Sequence, residues 1–268
     1  MGSLVKCSFC VLIVLLLMSS LGAKEVTLAA GVNENPPYVY GRNHVLTEFP
    51  GVTIDILRLI ESKEDVKFII KRHPWKRVVN EVKKNEIDGG FHFSFKESRR
   101  PFVAYPILEG SLLPDPKYSI ASRSFVIYRL KGKSVCWNGE KIVLDSQEAN
   151  VIAAIRGGSI IDEIKNKDYK LLEVNADNQL IQMLLAKRID AFVALENMID
   201  PKIKVLGLKD RLLIEKSLPV VVNKPYYIAF SKKFYRENPK LVWRIWTIID
   251  EIKRNGELDK IFAKYIDR

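Results

Sequence analysis

Two spacings alternate along this chain. VTLAAGV at 26–32 and VKFIIKR at 66–72 are short apolar runs of strand length. Between them TIDILRLIESK carries apolar residues at 54, 57 and 60, and the spacing predicts a helix with Thr53 as its cap. PWKRVVNEVKKN places Trp75, Val78, Val79 and Val82 at i, i+3, i+4 and i+7, one face of a second helix opened by Pro74. EIDGGFHF follows as a strand. From about residue 122 the pattern restarts: SFVIYRL as a strand, then NVIAAIRGGSIIDEIKNK as strand, Gly-Gly turn and helix. LLEVN, NQLIQMLLAKR and IDAFVALE read as strand, helix and strand. Each half therefore runs strand, helix, strand, helix, strand, which predicts a parallel or mixed sheet covered by helices. An Ile-Asp unit follows the last helix in each half, with Asp88 and Asp190 lying 102 residues apart; both aspartates read as structural, near strand starts. YYIAFSK returns as a strand. NPKLVWRIWTIIDEIKRNG is a helix with Asn238 as cap and Pro239 at its first position, and Gly256 ends it before ELDKIFAKYI. No Gly-, Ser- or Pro-rich linker divides the halves, so two closely joined lobes with a cleft are expected.

The first residues change the picture of where such a fold works. Lys6 is the only charge before Lys24, Phe9 to Met18 is almost wholly apolar, and Ser20-Leu21-Gly22 offers small residues for cleavage. That predicts a cleaved secretory signal peptide over 1–22 and a periplasmic protein; the apolar run is short for a membrane span. Cys7 and Cys10 fall inside this segment, so the exported chain keeps only Cys136. A lone thiol makes no internal disulfide and no four-cysteine metal site. The formal net charge is +11, but the basic residues are dispersed among acidic ones, which predicts a solvated basic surface and no nucleic-acid partner. His44, His73 and His92 lack paired ligand spacing, so no metal and no cofactor are expected.

Taken in order, PPYVY with GVTIDILRLI, WKRVVNEVKKNEIDGG, SFKESR, AAIRGGS, LAKRIDAFV, and YYIAFSK through IKRNGELDKIFAKYI carry a resemblance over nearly the whole exported chain. The chain resembles the periplasmic solute-binding proteins of ABC transporters, in the polar amino acid-binding family with the type 2 periplasmic binding fold. The resemblance implies an α/β architecture of two lobes, each a mixed sheet flanked by helices, with lobe 1 at 23–120 plus 221–268 and lobe 2 at 121–220. Two strands cross between the lobes, near 118–124 and 215–222, and hinge closure captures the ligand. It implies a monomer that captures a small polar solute, an amino acid or related carboxylate, and hands it to a membrane permease.

The resemblance also implies site residues. Trp75 corresponds to an aromatic that stacks on ligand. Arg99, with Arg100 as its rival, corresponds to the arginine whose planar fork pairs the ligand carboxylate. Ser94 offers a hydroxyl from the same loop. Gly157, Gly158 and Ser159 form the second-lobe turn whose amides attract the carboxylate. Glu196 lies one residue past the family's acidic partner for the ammonium, and a one-residue slip flips a strand face unless a bulge corrects it. Asn35 stands where the family commonly has an aromatic, leaving Tyr38 or Tyr40 to stack. Lys96 replaces a Ser/Thr, and His92 and Phe93 replace small hydroxyl residues. These departures leave the α-amino acid clamp open and admit a bulkier or more anionic ligand. Two other functions stay open: an enzyme on the same fold, resembling cyclohexadienyl dehydratase, with His92 or Glu196 as general acid or base, and a sensor subunit that presents ligand to a receptor.

Overall fold

A computed structural model describes residues 22–41, 48–144 and 150–265. Residues 1–21 of the signal segment, Cys7 and Cys10 among them, and His44 lie outside the described residues. In chain order the elements are β1 (Lys24–Gly31), α1 (Val52–Lys63), β2 (Val66–His73), α2 (Trp75–Lys83), β3 (Gly89–Ser94), β4 (Val103–Ala104), β5 (Ala121–Leu130), β6 (Val135–Trp137) and β7 (Ile142–Leu144). There follow β8 (Val151–Ile155), α3 (Ile160–Ile164), β9 (Lys170–Val174), α4 (Asp177–Leu185), β10 (Ala191–Leu195), α5 (Glu196–Lys204), α6 (Leu208–Arg211), β11 (Ile214–Ser231), α7 (Lys232–Glu237), α8 (Pro239–Arg254) and α9 (Glu257–Ala263).

Strand order explains the repeated pattern. The main sheet runs β2-β1-β3-β11-β5-β10-β8-β9, with β4 added on β11. At one end β1 pairs in parallel with β2 and β3; at the other β8 and β10 pair in parallel, as do β8 and β9. Each triplet meets the central antiparallel pair β5–β11 through its third strand. The two expected sheets thus run into one another through the strands that cross between the lobes. The register of β5 on β11 breaks between Ser217 and Val222. Cores form on either side of this pair. One packs α1, α8 and α9 on β1 and β3 around Trp246, whose indole Nε1 donates to the Ile228 carbonyl at 2.8 Å. Others lie among residues of β5, β8 and β10, covered by α3 on one face and α4 on the other.

The Ile-Asp units act as strand clamps. Asp88 accepts from the Thr27 amide at 2.7 Å and donates its own amide to the Thr27 carbonyl. Asp190 does the same with Val151, accepting at 2.8 Å. Each unit is entered through a residue at positive φ, Asn85 at 58° and Lys187 at 56°. The Glu86 and Arg188 amides close back on the Glu81 and Met183 carbonyls, the wrap that ends a helix in a left-handed residue.

One expected cap is corrected, and the other holds its place without a side-chain cap bond. Gly51, at φ 110°, holds the N-cap position of α1, and Thr53 lies within the first turn, where its hydroxyl meets His92 Nε2 at 2.9 Å. Asn238 stands at the N-cap of α8, but its side chain donates back to the Phe234 carbonyl.

Candidate functional site

The strand ends of the two lobes face each other across a cavity of about 440 Å³. The loops after β1, β2 and β3 line one side, those after β8, β9 and β10 the other, and β5 with β11 forms the floor. Carboxyl ends of strands are where open α/β sheets place ligands.

Gly89 and Gly90 start β3 because nothing larger fits. A Cβ on Gly89 would sit 2.4 Å from the Ala229 carbonyl oxygen, and one on Gly90 2.6 Å from that of Ala29. β3 then bulges at His92, which takes φ 63°, while Phe91 and Phe93 pair with Ile228 and Tyr227. A bulge re-aims one side chain. Here it turns the imidazole onto the cavity wall, between Asn35 at 3.2 Å and Thr53 at 2.9 Å. Burial, then the fields of Arg123 and Arg72, hold its pKa well below the ordinary histidine value. The neutral ring donates from one nitrogen and accepts at the other.

Arg99 borders the cavity and is 3% exposed; Arg100 is half-exposed and pairs with Glu97. The Arg99 guanidinium donates to the Ser94 carbonyl at 3.0 Å and, across the cleft, to the Gly157 carbonyl at 2.9 Å. It lies 5.6 Å from the Trp75 ring and 5.7 Å from Phe93. Ser94 donates across the cleft to Ser159 at 2.7 Å. Further out Lys96 meets Asp162 at 3.1 Å, and Asn197 donates to the Pro36 carbonyl at 3.0 Å. The lobes are therefore closed on each other.

Trp75, His92, Ser94, Arg99, Gly158 and Ser159 all border the cavity. Three other expected groups sit outside the wall or are already bonded. Tyr38 stands behind the wall, edge-on to His92 at 5.8 Å, with its face against Arg123. Glu196 is absent from the cavity wall, because β10 ends at Leu195 and Glu196 opens α5, where Lys216 binds its carboxylate at 2.7 Å. The amides of Gly157 and Gly158 are already taken by the Glu173 carboxylate and the Ile155 carbonyl. What this turn presents to the cavity is the Ser159 hydroxyl.

Sequence reasoning passed over Asp177, Tyr226 and Arg123. Asp177, at the start of α4, lines the cavity and pairs with Lys202 at 3.4 Å; burial raises its carboxyl above the ordinary range, against the pull of that lysine. Tyr226 lines the floor. Arg123 is 6% exposed. It lies on the same face of β5 as Ala121, Phe125 and Ile127, and a cation inside an apolar row of period two was the signal that could have found it.

Among the described residues no group of three His, Cys, Asp or Glu side chains could hold a metal, and no helix is long and apolar enough to cross a membrane.

No protein-family model and no curated protein matches the sequence. Solved structures do match its shape. The substrate-binding protein of an amino acid ABC transporter is 19% identical, with a TM-score of 0.63 over 91% of this chain and 100% of that one. An ancestral arginine-binding protein bound to arginine is 18% identical, with a TM-score of 0.67 over 91% and 99%. The ancestral amino acid-binding protein AncCDT-1, a precursor of cyclohexadienyl dehydratase, is 15% identical, with a TM-score of 0.60 over 90% and 94%. The chain has the two-lobed type 2 periplasmic binding protein fold.

Proposed function

We propose that this protein is an extracytoplasmic solute-binding protein, which closes its lobes on a small polar carboxylate and delivers it to an ABC-type membrane permease. Amino acids and related carboxylates are the solute class. The observation that carries the reading is the cleft itself: a cavity of about 440 Å³ at the strand ends, with Arg99 reaching from one lobe to the carbonyl of Gly157 on the other.

In this reading an open cleft admits the solute, whose carboxylate meets the Arg99 guanidinium while the Trp75 ring covers it. Arg99 supplies a planar pair of donors, stronger toward an ionised acceptor than toward a carbonyl. Closure then joins Ser159 to the same group. A permease reads the closed form, and release follows when the lobes part. The signal segment over 1–22 would export the chain, and Trp75, Arg99, Ser94, His92 and Ser159 would contact the solute.

The enzyme reading is weaker because the groups it needs are engaged. Both His92 ring nitrogens are bonded, and Glu196 is paired with Lys216 outside the cavity. A general acid or base must reach its substrate proton.

The test is thermal unfolding of the purified protein against amino acids, mono- and dicarboxylates, amines and sugars. A bound solute at a hundred times its dissociation constant adds about 2.7 kcal/mol. The reading expects a carboxylate to raise the melting temperature without being consumed. Stabilisation by amines or sugars alone, or turnover of the carboxylate, would count against it.

A further inference from the structure

Charge balance in the cavity narrows the solute further, provided the cleft is the solute site. Arg99 and Arg123 both border it, and both are buried. Neither has a carboxylate partner among the described residues: Arg99 is held by two backbone carbonyls, and Arg123 by the Asn35 amide. With that amide turned so that its oxygen faces the guanidinium, Arg123 donates to it from Nη1 at 2.7 Å and Nη2 at 2.8 Å. Its Nε has no hydrogen-bond partner among the described residues. The Tyr38 and Tyr226 rings sandwich the guanidinium at 4.5 and 4.6 Å. Ring faces recover part of the cost of burying a cation, but they supply no counter-charge.

The two cations share one floor. In the strand pairing Tyr226 stands opposite Ser94 on one side and Ala121 on the other. Its hydroxyl lies in the fields of both Arg123 and Arg99. Asp177 is the one carboxylate among the described lining residues, and it already meets Lys202. His92 adds no charge. Among the described residues the cavity carries two guanidiniums without a carboxylate partner and no free carboxylate, which suits a solute that brings two negative charges and needs no ammonium partner. The lining also carries the apolar side chains of Trp75, Phe125, Ile160, Val193, Leu195 and Met198.

We infer that the solute is a diacid with an apolar body, one acidic group at Arg99 and the second at Arg123, whose guanidinium lies against Tyr38 and Tyr226.

Calorimetric titration with skeleton-matched probes tests this: glutarate against valerate, 1,4-cyclohexanedicarboxylate against cyclohexanecarboxylate, glutamate against glutamine, and inorganic phosphate. Each diacid is expected to bind at least tenfold more tightly than its monoacid. In Arg123→Met that preference should vanish while weak monoacid binding persists. In Arg123→Lys at least part of the preference should remain, and in Arg99→Met both kinds of ligand should be lost. The solute-free Arg123→Met protein should melt no lower than wild type, since a methionine there leaves no unpaired charge; that result also shows that the variant folds. Equal binding of monoacids and diacids, both dependent on Arg99 and indifferent to Arg123→Met, would overturn the diacid and leave the proposed function standing. Phosphate binding more tightly than any diacid would overturn it in favour of one anion shared by both arginines. No binding of any carboxylate would overturn both readings together.

Discussion

His92 shows how much one side chain depends on its backbone. The resemblance placed His92 at the site, and the bulge at φ 63° is what turns it into the network that joins Asn35, Thr53 and the Arg123 layer. No pattern of apolar residues announces a bulge, so this was not legible in the sequence. The consequence is a pH dependence. The unfolded chain takes up a proton near the ordinary histidine pKa of about 6.5, whereas the folded protein resists it to lower pH. Below about pH 6.5 the unfolded state therefore binds more protons, and stability falls as pH falls, by up to about 1.4 kcal/mol per pH unit. His92→Asn accepts the left-handed backbone and does not titrate. Urea unfolding at pH 7.5 and 5.5 should show the wild type losing more stability than this variant. Glu196 teaches the converse lesson. The resemblance put it one residue past the family's acidic partner, and there, just past the end of β10, the chain is helical and the carboxylate turns to Lys216.

At the scale of elements, most of the architecture was readable. Alternating periods of two and 3.6 placed the strands and helices because burial demands those spacings, and the Ile-Asp repeat marked the same clamp in both halves. The continuity of the sheet through β5 and β11 was hidden, because pairing between distant strands leaves no local mark. Gly89-Gly90 now has a packing reason. Gly90→Ala would press a methyl into the Ala29 carbonyl and the Phe93 ring, 2.6 and 2.7 Å away. Overpacking of this kind costs about 1–3 kcal/mol, and a lowered urea midpoint with an unchanged slope would record it. A neutral result would mean that β1 and β3 separate more easily than their pairing implies.

The whole molecule is two lobes on a pair of crossing strands, latched where Ser94 meets Ser159 and Arg99 meets Gly157. A wedge should undo the latch. Ser159→Tyr puts a ring at a residue only 4% exposed, so small-angle scattering should report a larger radius of gyration with the helical signal retained. An unchanged radius would mean that the latch does not hold the lobes. The overall wiring was legible from the repeat and the resemblance. Arg123 left only the mark of a cation in an apolar row of β5, and its surroundings exist only once β5, β11 and the loop of Tyr38 have come together.

The central claim is that a carboxylate held by Arg99 in the cleft is what the lobes close on. Its most direct measurement is the melting temperature of wild type, Arg99→Ala and Arg100→Ala with the best-stabilising carboxylate. The account predicts an upward shift in wild type and Arg100→Ala that is absent in Arg99→Ala; equal shifts in all three proteins would contradict it.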